Sequence, residues 1–185
     1  MDDDTDRALV ERYRGGDREA FSELVIRYQR PIYNAAFWIL RKAEDASDIA
    51  QTVFLRVAER LDEYDTRYKF FSWIYRIAVN ESLNLLRRNG REEALDEEID
   101  VPAPESADPE RKASDEQQSR RIQRALMSMT ANDRMVLTLR HFSGCSYQEI
   151  GQILDLDEKT VKSRLFAARQ RLRDLLMDLR PDAHT

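Results

Sequence analysis

Six basic side chains and no acidic one lie between Lys159 and Arg173: Lys159, Lys162, Arg164, Arg169, Arg171 and Arg173. Val161, Leu165, Ala168, Leu172 and Leu175 recur among them at three- and four-residue spacing, so the segment reads as a helix with one buried stripe. Lys159, Lys162, Ser163, Phe166, Arg169 and Arg173 then share the opposite face. Cations there can neutralise phosphates, Lys162 and Ser163 can reach base edges or phosphates, and Phe166, with nothing local to bury it, suits a thymine methyl. The chemistry is contact with duplex DNA. Asp157 is a natural N-cap, with Glu158 and Thr160 suited to the first turn. A shorter helix over Tyr147–Leu154 and a tight polar turn precede it, which makes the whole a helix-turn-helix. A solvated charged helix is the plainer alternative, but the single sign of the run and the outward Phe166 argue against it.

A second cluster has the chemistry for unpaired bases. Six aromatics fall within the twelve positions from Tyr64 to Tyr75, with Arg67, Lys69 and Arg76 interleaved. Stacking a base on such a ring contributes about 1–3 kcal/mol. Part of the set must be core, because Ile74, Ile77 and Ala78 continue a buried stripe that takes in Phe71. Tyr64, Tyr68 and Phe70, in or beside a loop, are the expected available rings. The helix that follows presents Arg76, Asn80, Asn84, Arg87 and Arg88 on one polar side, and Asn and Arg are the side chains that pair bidentately with adenine and guanine.

A third segment, Asp45–Leu61, turns Ala46, Ile49, Ala50, Val53, Val57 and Leu61 inward. Asp48, Gln51, Thr52 and Leu55 are left together outside. An exposed leucine flanked by hydrogen-bonding groups is a small protein-docking surface more often than an active site.

These surfaces need rigid carriers, and the composition supplies them. The 185 residues are 35% charged and 42% hydrophobic with only five Gly and five Pro, a helix-rich profile. The expected fold is all-α: an N-terminal helical bundle over residues 1–94 and a C-terminal helix-turn-helix domain over 119–180, joined by an acidic flexible linker over 95–118 and followed by a tail, 181–185. The spacing predicts helices over Asp6–Arg14, from a cap at Asp17 to Tyr28 with Ala20, Phe21, Leu24 and Val25 inward, and over Ile32–Leu40 after a break or kink at Pro31. Further helices follow over Asp45–Leu61 and Phe70–Arg88, from about Arg120, and over Asn132–Phe142 before a turn at Gly144.

Charge is distributed unevenly. The formal net charge is −5, but residues 96–118 hold nine acidic and two basic side chains, and residues 119–185 hold eight and 12. The overall acidity is therefore no argument against a nucleic-acid partner. No apolar run is long enough to span a membrane, and the acidic start MDDDTDR is the opposite of a signal peptide's basic region. The single cysteine, Cys145, rules out an intramolecular disulfide framework and fits a reducing cytosol. His141 and His184 are too far apart for a structural zinc site. No nucleophile–base pairing, metal cluster or phosphate loop is present, so neither catalysis nor a cofactor is expected.

Taken in order, DASDIAQTVFLR, FFSWIYRIAVNESLNLLRR and LMSMTANDRMVLTLRHFSGCSYQEIGQILDLDEKTVKSRLFAARQRLRDLL resemble the segments of an ECF-type (group four) bacterial RNA polymerase sigma factor. The resemblance covers nearly the whole chain. It implies a cytoplasmic initiation factor that binds core RNA polymerase and promoter DNA, with an anti-sigma factor as a candidate further partner. It implies polymerase binding at Asp45, Asp48, Gln51, Thr52 and Leu55. It assigns the minus-10 element to Tyr64, Arg67, Tyr68, Lys69, Phe70, Arg76, Asn80, Asn84 and Arg87. The minus-35 element falls to Lys159, Thr160, Lys162, Ser163, Arg164, Phe166 and Arg169. The linker would thread toward the polymerase's RNA exit path. Three positions depart from the family's pattern. Ser47 and Thr52 stand where members often carry Glu, a charge that phosphorylation would restore, and Ala167 stands where relatives often have Arg. A stand-alone helix-turn-helix regulator with a helical sensor domain is the alternative, but it would have no use for the aromatic loop.

Overall fold

The computed structural model describes residues 3–89 and 109–178. The linker as far as residue 108 and the tail 181–185 lie outside the described residues. Those described form eight α-helices and no strand. Helix α1 (Asp3–Arg14), α2 (Arg18–Leu40), α3 (Ala43–Arg60) and α4 (Phe70–Asn89) make one bundle, and a 3₁₀ turn at Leu61–Glu63 follows α3. Helix α5 (Pro109–Met127), α6 (Ala131–Leu137), α7 (Tyr147–Leu154) and α8 (Glu158–Asp178) make a second.

Several helix ends have a local reason. Asp17 accepts from the backbone N–H of Glu19 at 3.0 Å and of Ala20 at 3.4 Å, capping α2 as expected. Of the break or kink expected at Pro31, no break occurs, and α2 runs through it. A proline inside a helix costs about 3 kcal/mol. Around it Tyr28, Ile32, Ala35, Ala36 and Ile39 are all buried, and fully burying one large apolar side chain returns about 1.5–3 kcal/mol. Packing decides. Helix α5 begins at Pro109, ten residues before the expected start of the second module at 119. Proline suits a helix's first turn, where its missing N–H would have no partner, and the residues after it are good helix formers. The helix expected over Asn132–Phe142 is capped by Thr130 and widens into a π-helical turn at Thr138–Phe142.

Helix α1 is fastened through a buried carboxylate. Asp6, 1% exposed, accepts from Arg27 Nη1 at 2.6 Å and from the Tyr28 hydroxyl. The bonds satisfy a charge that would otherwise be costly to bury.

The two bundles pack together, with α4 against α7 and α2 against α6. Arg134 of α6 is only 4% exposed. Its guanidinium donates to the Trp38 carbonyl at 2.8 Å, the Ile39 carbonyl at 2.8 Å and the Met129 carbonyl. Trp38 and Ile39 lie in the last turn of α2, whose carbonyls have no partner within the helix, so a cation from the second bundle completes the first. Burial lowers the Arg134 pKa to about 10, which still leaves it cationic at neutral pH. Beside it the Trp38 and Phe142 rings stack at 5.0 Å.

Arg134→Ala would leave these carbonyls without their donor, and a loss of about 3 kcal/mol is expected. Urea denaturation reads the loss, and small-angle scattering should report a larger radius of gyration because two of the bonds bridge the bundles.

Candidate nucleic-acid interface

The helix-turn-helix is built as the sequence predicts. Ser146 caps α7 by accepting from Glu149 N–H at 3.2 Å, while Glu149 accepts from Ser146 N–H at 2.7 Å. The turn into α8 passes through Asp155, at φ 55°, and leaves no room at Gly151, where a Cβ would lie 2.6 Å from the Leu156 carbonyl oxygen. Asp157 then accepts from Thr160 N–H at 2.8 Å and from the Thr160 hydroxyl at 2.6 Å, which holds its carboxyl below the usual range. Thr160 is thus tied into the cap.

On α8, Val161, Leu165 and Ala168 are buried, and Leu172 and Leu175 are half-buried. Lys159, Lys162, Ser163, Arg164 and Arg169 are exposed, and Phe166 is 66% exposed. A helix places a large ring in water at a cost, so this one is available to a partner. Lys162 Nζ bonds Glu158 at 2.6 Å and lies 5.6 Å from the Tyr147 ring centre, with Arg140 at 4.9 Å from the same ring. Arg140 and Tyr147 escaped the sequence reading. The aromatic at the first position of α7 was the available signal, but its cationic partners come from other segments. His141, its pKa lowered by burial and by Arg169 and Arg140, lies 3.4 Å from the Arg169 guanidinium.

The loop between α3 and α4 departs from expectation. Tyr64 is 3% exposed and Phe70 fully buried, so neither is available as drawn. Their rings pack edge to face at 5.5 Å, Tyr64 also meets Trp73 at 5.2 Å, and Phe70 meets Tyr28 at 5.4 Å. Rings this close to one another between two helices gain more from mutual burial than from water. Tyr68 remains outside, 54% exposed. Arg67 is exposed and pairs with Asp65 at 2.6 Å. Lys69 Nζ bonds Glu149 of α7 at 2.7 Å, so this cation is neutralised by the second bundle. Along α4, Arg76, Asn80, Asn84 and Arg87 are all exposed on the polar side, with Arg87 donating to Asn84 at 3.2 Å.

On α3, Asp48 and Gln51 are exposed, Leu55 is 67% exposed, and Thr52 donates its hydroxyl to the Asp48 carbonyl at 2.8 Å. Asp45 is half-buried, 3.8 Å from Lys42. An apolar groove of about 730 Å³ runs beside this face, with Ser47, Gln51, Phe54 and Leu55 on one wall and Phe21, Val25 and Tyr33 of α2 on the other. Phe21 and Val25 were expected inside. The periodicity of α2 alone cannot separate a core stripe from a groove wall, because both are apolar.

The comparisons with known proteins fit this layout. Residues 24–92 match the family described as Sigma-70 region 2, and residues 119–172 match Sigma-70, region 4. The chain is 35% identical over 175 residues to the ECF RNA polymerase sigma-E factor of Escherichia coli K12, covering 90% of this chain and 91% of that one. The chain belongs to the ECF family of RNA polymerase sigma factors. It is 32% identical to the RNA polymerase sigma-H factor of Pseudomonas aeruginosa PAO1 over 96% of its own length and 97% of that protein's. Two solved folds agree. CnrH bound to the cytosolic domain of CnrY aligns with a TM-score of 0.70 at 23% identity, over 95% of this chain and 99% of that one. The sigma factor RpoE of Bartonella quintana, bound to the anti-sigma factor NepR, aligns at 0.71 and 22%, over 86% and 98%. ECF sigma factors are non-enzymatic initiation factors that bind core polymerase, region 2 engaging the minus-10 promoter element and region 4 the minus-35 element. Among the described residues no helix is long and apolar enough to cross a membrane.

Two outcomes follow. Gly151→Ala forces backbone against backbone at the turn, and is expected to cost about 1–3 kcal/mol and to lower duplex binding, read by thermal melting and fluorescence anisotropy. The Glu149 carboxyl feels burial most, which raises its pKa, but the Lys69 ammonium and the Ser146 bonds together outweigh this and hold it below its ordinary 4.5. A lowered carboxyl stabilises fully above that value and stops doing so as pH falls through the folded one. Glu149→Gln should therefore flatten the acid limb of the melting curve, whereas an unchanged limb would mean that the pair does not form.

Proposed function

We propose that this sigma factor works through three surfaces on two modules, residues 1–94 and 119–180, with 95–118 between them leading into α5 at Pro109 and 181–185 as a tail. The observation that carries the reading is the exposed face of α8, where Lys162, Ser163 and Phe166 stand clear of an otherwise buried helix stripe. That face enters the major groove of the minus-35 element, with Lys159, Arg164 and Arg169 on phosphates and Thr160 at the helix start. On the first module Tyr68, at the exposed tip of its loop, stacks on an unpaired base of the opened minus-10 strand, with Arg67 on its backbone and Lys69 joining it once it exchanges Glu149 for a phosphate. The buried Tyr64 and Phe70 support that loop from behind. Arg76, Asn80, Asn84 and Arg87 continue the contact along α4.

Core polymerase docks on α3 through Asp48, Gln51 and Leu55, with Asp45 and Thr52 at the margin of that patch and the neighbouring groove receiving apolar side chains. Strand opening then draws on captured bases and polymerase contacts, and this chain hydrolyses no nucleotide. A partner of RNA polymerase works in the cytoplasm. An anti-sigma factor is the regulatory partner to test for, since the Bartonella quintana factor was solved with one.

Run-off transcription tests the reading. Core polymerase with this protein should initiate at a specific promoter, and core alone should not. Leu55→Ala should lower core affinity without altering duplex binding. Phe166→Ala and Lys162→Ala should each weaken cognate duplex binding roughly tenfold. Equal losses on random and cognate duplex would reduce those residues to backbone contacts, and tight operator binding that never supports initiation would favour a stand-alone regulator.

A further inference from the structure

Helix α1 lies ahead of the segment that matches the region 2 family, yet one of its side chains holds the strand-facing loop. Arg14, in the last turn of α1, sends its guanidinium 47 to 50 residues along the chain. Nη2 donates to the carbonyl of Leu61 at 2.9 Å, of Asp62 at 3.3 Å and of Tyr64 at 2.7 Å. Nη1 bonds Glu11 at 3.0 Å, which fixes the fork from the other side. The Arg14 side chain is 24% exposed, so these bonds form in a partly dry environment. Three carbonyls turned toward one cation define the path of the chain as it leaves α3.

The tether continues outward. Tyr64, whose carbonyl Arg14 holds, donates its hydroxyl to the Tyr68 carbonyl at 2.5 Å. Burial raises the Tyr64 pKa to about 12, so the hydroxyl stays a donor at neutral pH. The Tyr68 N–H in turn bonds the Asp65 carbonyl at 3.1 Å. A continuous set of bonds thus runs from α1 through Tyr64 to the backbone of the one exposed ring in the loop. A ring that must stack on a base gains from a backbone already held in place, because the ordering cost is met before binding.

We propose that Arg14 is a positioning residue for capture of the opened promoter strand, acting through Tyr64 on the placement of Tyr68. The inference rests on the reading of the loop between α3 and α4 as the strand-binding loop. Arg14 itself need touch neither DNA nor polymerase. Its loss is felt in strand capture, while the docking face of α3 and the reading face of α8 keep their geometry.

Holoenzyme assembled with the full chain tests this on a single-stranded oligonucleotide carrying the non-template minus-10 sequence, beside core affinity and minus-35 duplex binding. Arg14→Ala is expected to weaken strand binding about tenfold, the scale of a lost charge-assisted hydrogen bond. Core and duplex affinities should stay within about twofold of the parent, a split that general unfolding would not produce. Arg14→Lys, which keeps a cationic donor, should recover part of the loss. Tyr64→Phe, which removes only the hydroxyl that holds Tyr68, should reproduce part of it with the ring packing intact. That variant also decides the matter if Arg14→Ala folds poorly. Tyr68→Ala separates the two layers of the claim. If it abolishes strand binding while Arg14→Ala and Tyr64→Phe leave it unchanged, the positioning role is overturned and the loop reading stands. If Tyr68→Ala has no effect either, both are overturned.

Discussion

The buried rings of Tyr28, Phe70 and Tyr64 and the half-buried Trp73 form one set, each within 6 Å of the next, and the first bundle is organised around it. Tyr28 belongs to α2, Tyr64 to the loop, and Phe70 and Trp73 to the start of α4. Because the Tyr28 hydroxyl also bonds Asp6, the same set anchors α1. Edge-to-face pairs contribute about 0.5–1.5 kcal/mol each beyond their burial. The geometry matters more than the sum. The loop between α3 and α4 lacks the backbone ladder of a helix, so its shape must come from side chains beneath it, and here aromatic rings supply that floor.

The second module solves a related problem with charge. A short helix, a tight turn and a longer helix give little area to bury, and the turn succeeds only because Gly151 lets the Leu156 carbonyl approach. Reciprocal bonds at Ser146 and Glu149 and the cap at Asp157 fix both helix starts. With the termini set this way, α8 can leave one face uncovered without losing its place. Cys145 sits at the base of this unit, 1% exposed, with burial raising its thiol pKa to about 12, so it acts as a small apolar group and not as a nucleophile.

Between the modules the contacts are of mixed kind. Arg134 reaches carbonyls at the end of α2, Lys69 reaches Glu149, and Trp38 stacks on Phe142. Each joins a group left incomplete in one bundle to its complement in the other. A helix end needs a cation and a loop cation needs a carboxylate.

How far the sequence alone reached follows from the range of the forces involved. Periodicity and caps are local, so the α7 helix, the Asp157 cap, the buried Val161–Leu165–Ala168 stripe and the outward Phe166 and Leu55 were all readable from residue order. The family resemblance added the order of the modules. What the chain order could not decide was which of several apolar faces finds a neighbour. Tyr64 and Phe70 went to the core, Phe21 and Val25 to a groove wall, and Pro31 stayed inside an unbroken helix, each because of side chains brought in from distant segments. The bonds of Arg14 and Arg134 span tens of residues and leave no spacing pattern behind them. Local hydrogen bonding and helical period are written in the sequence, whereas the partner of a given side chain is settled only when the helices pack.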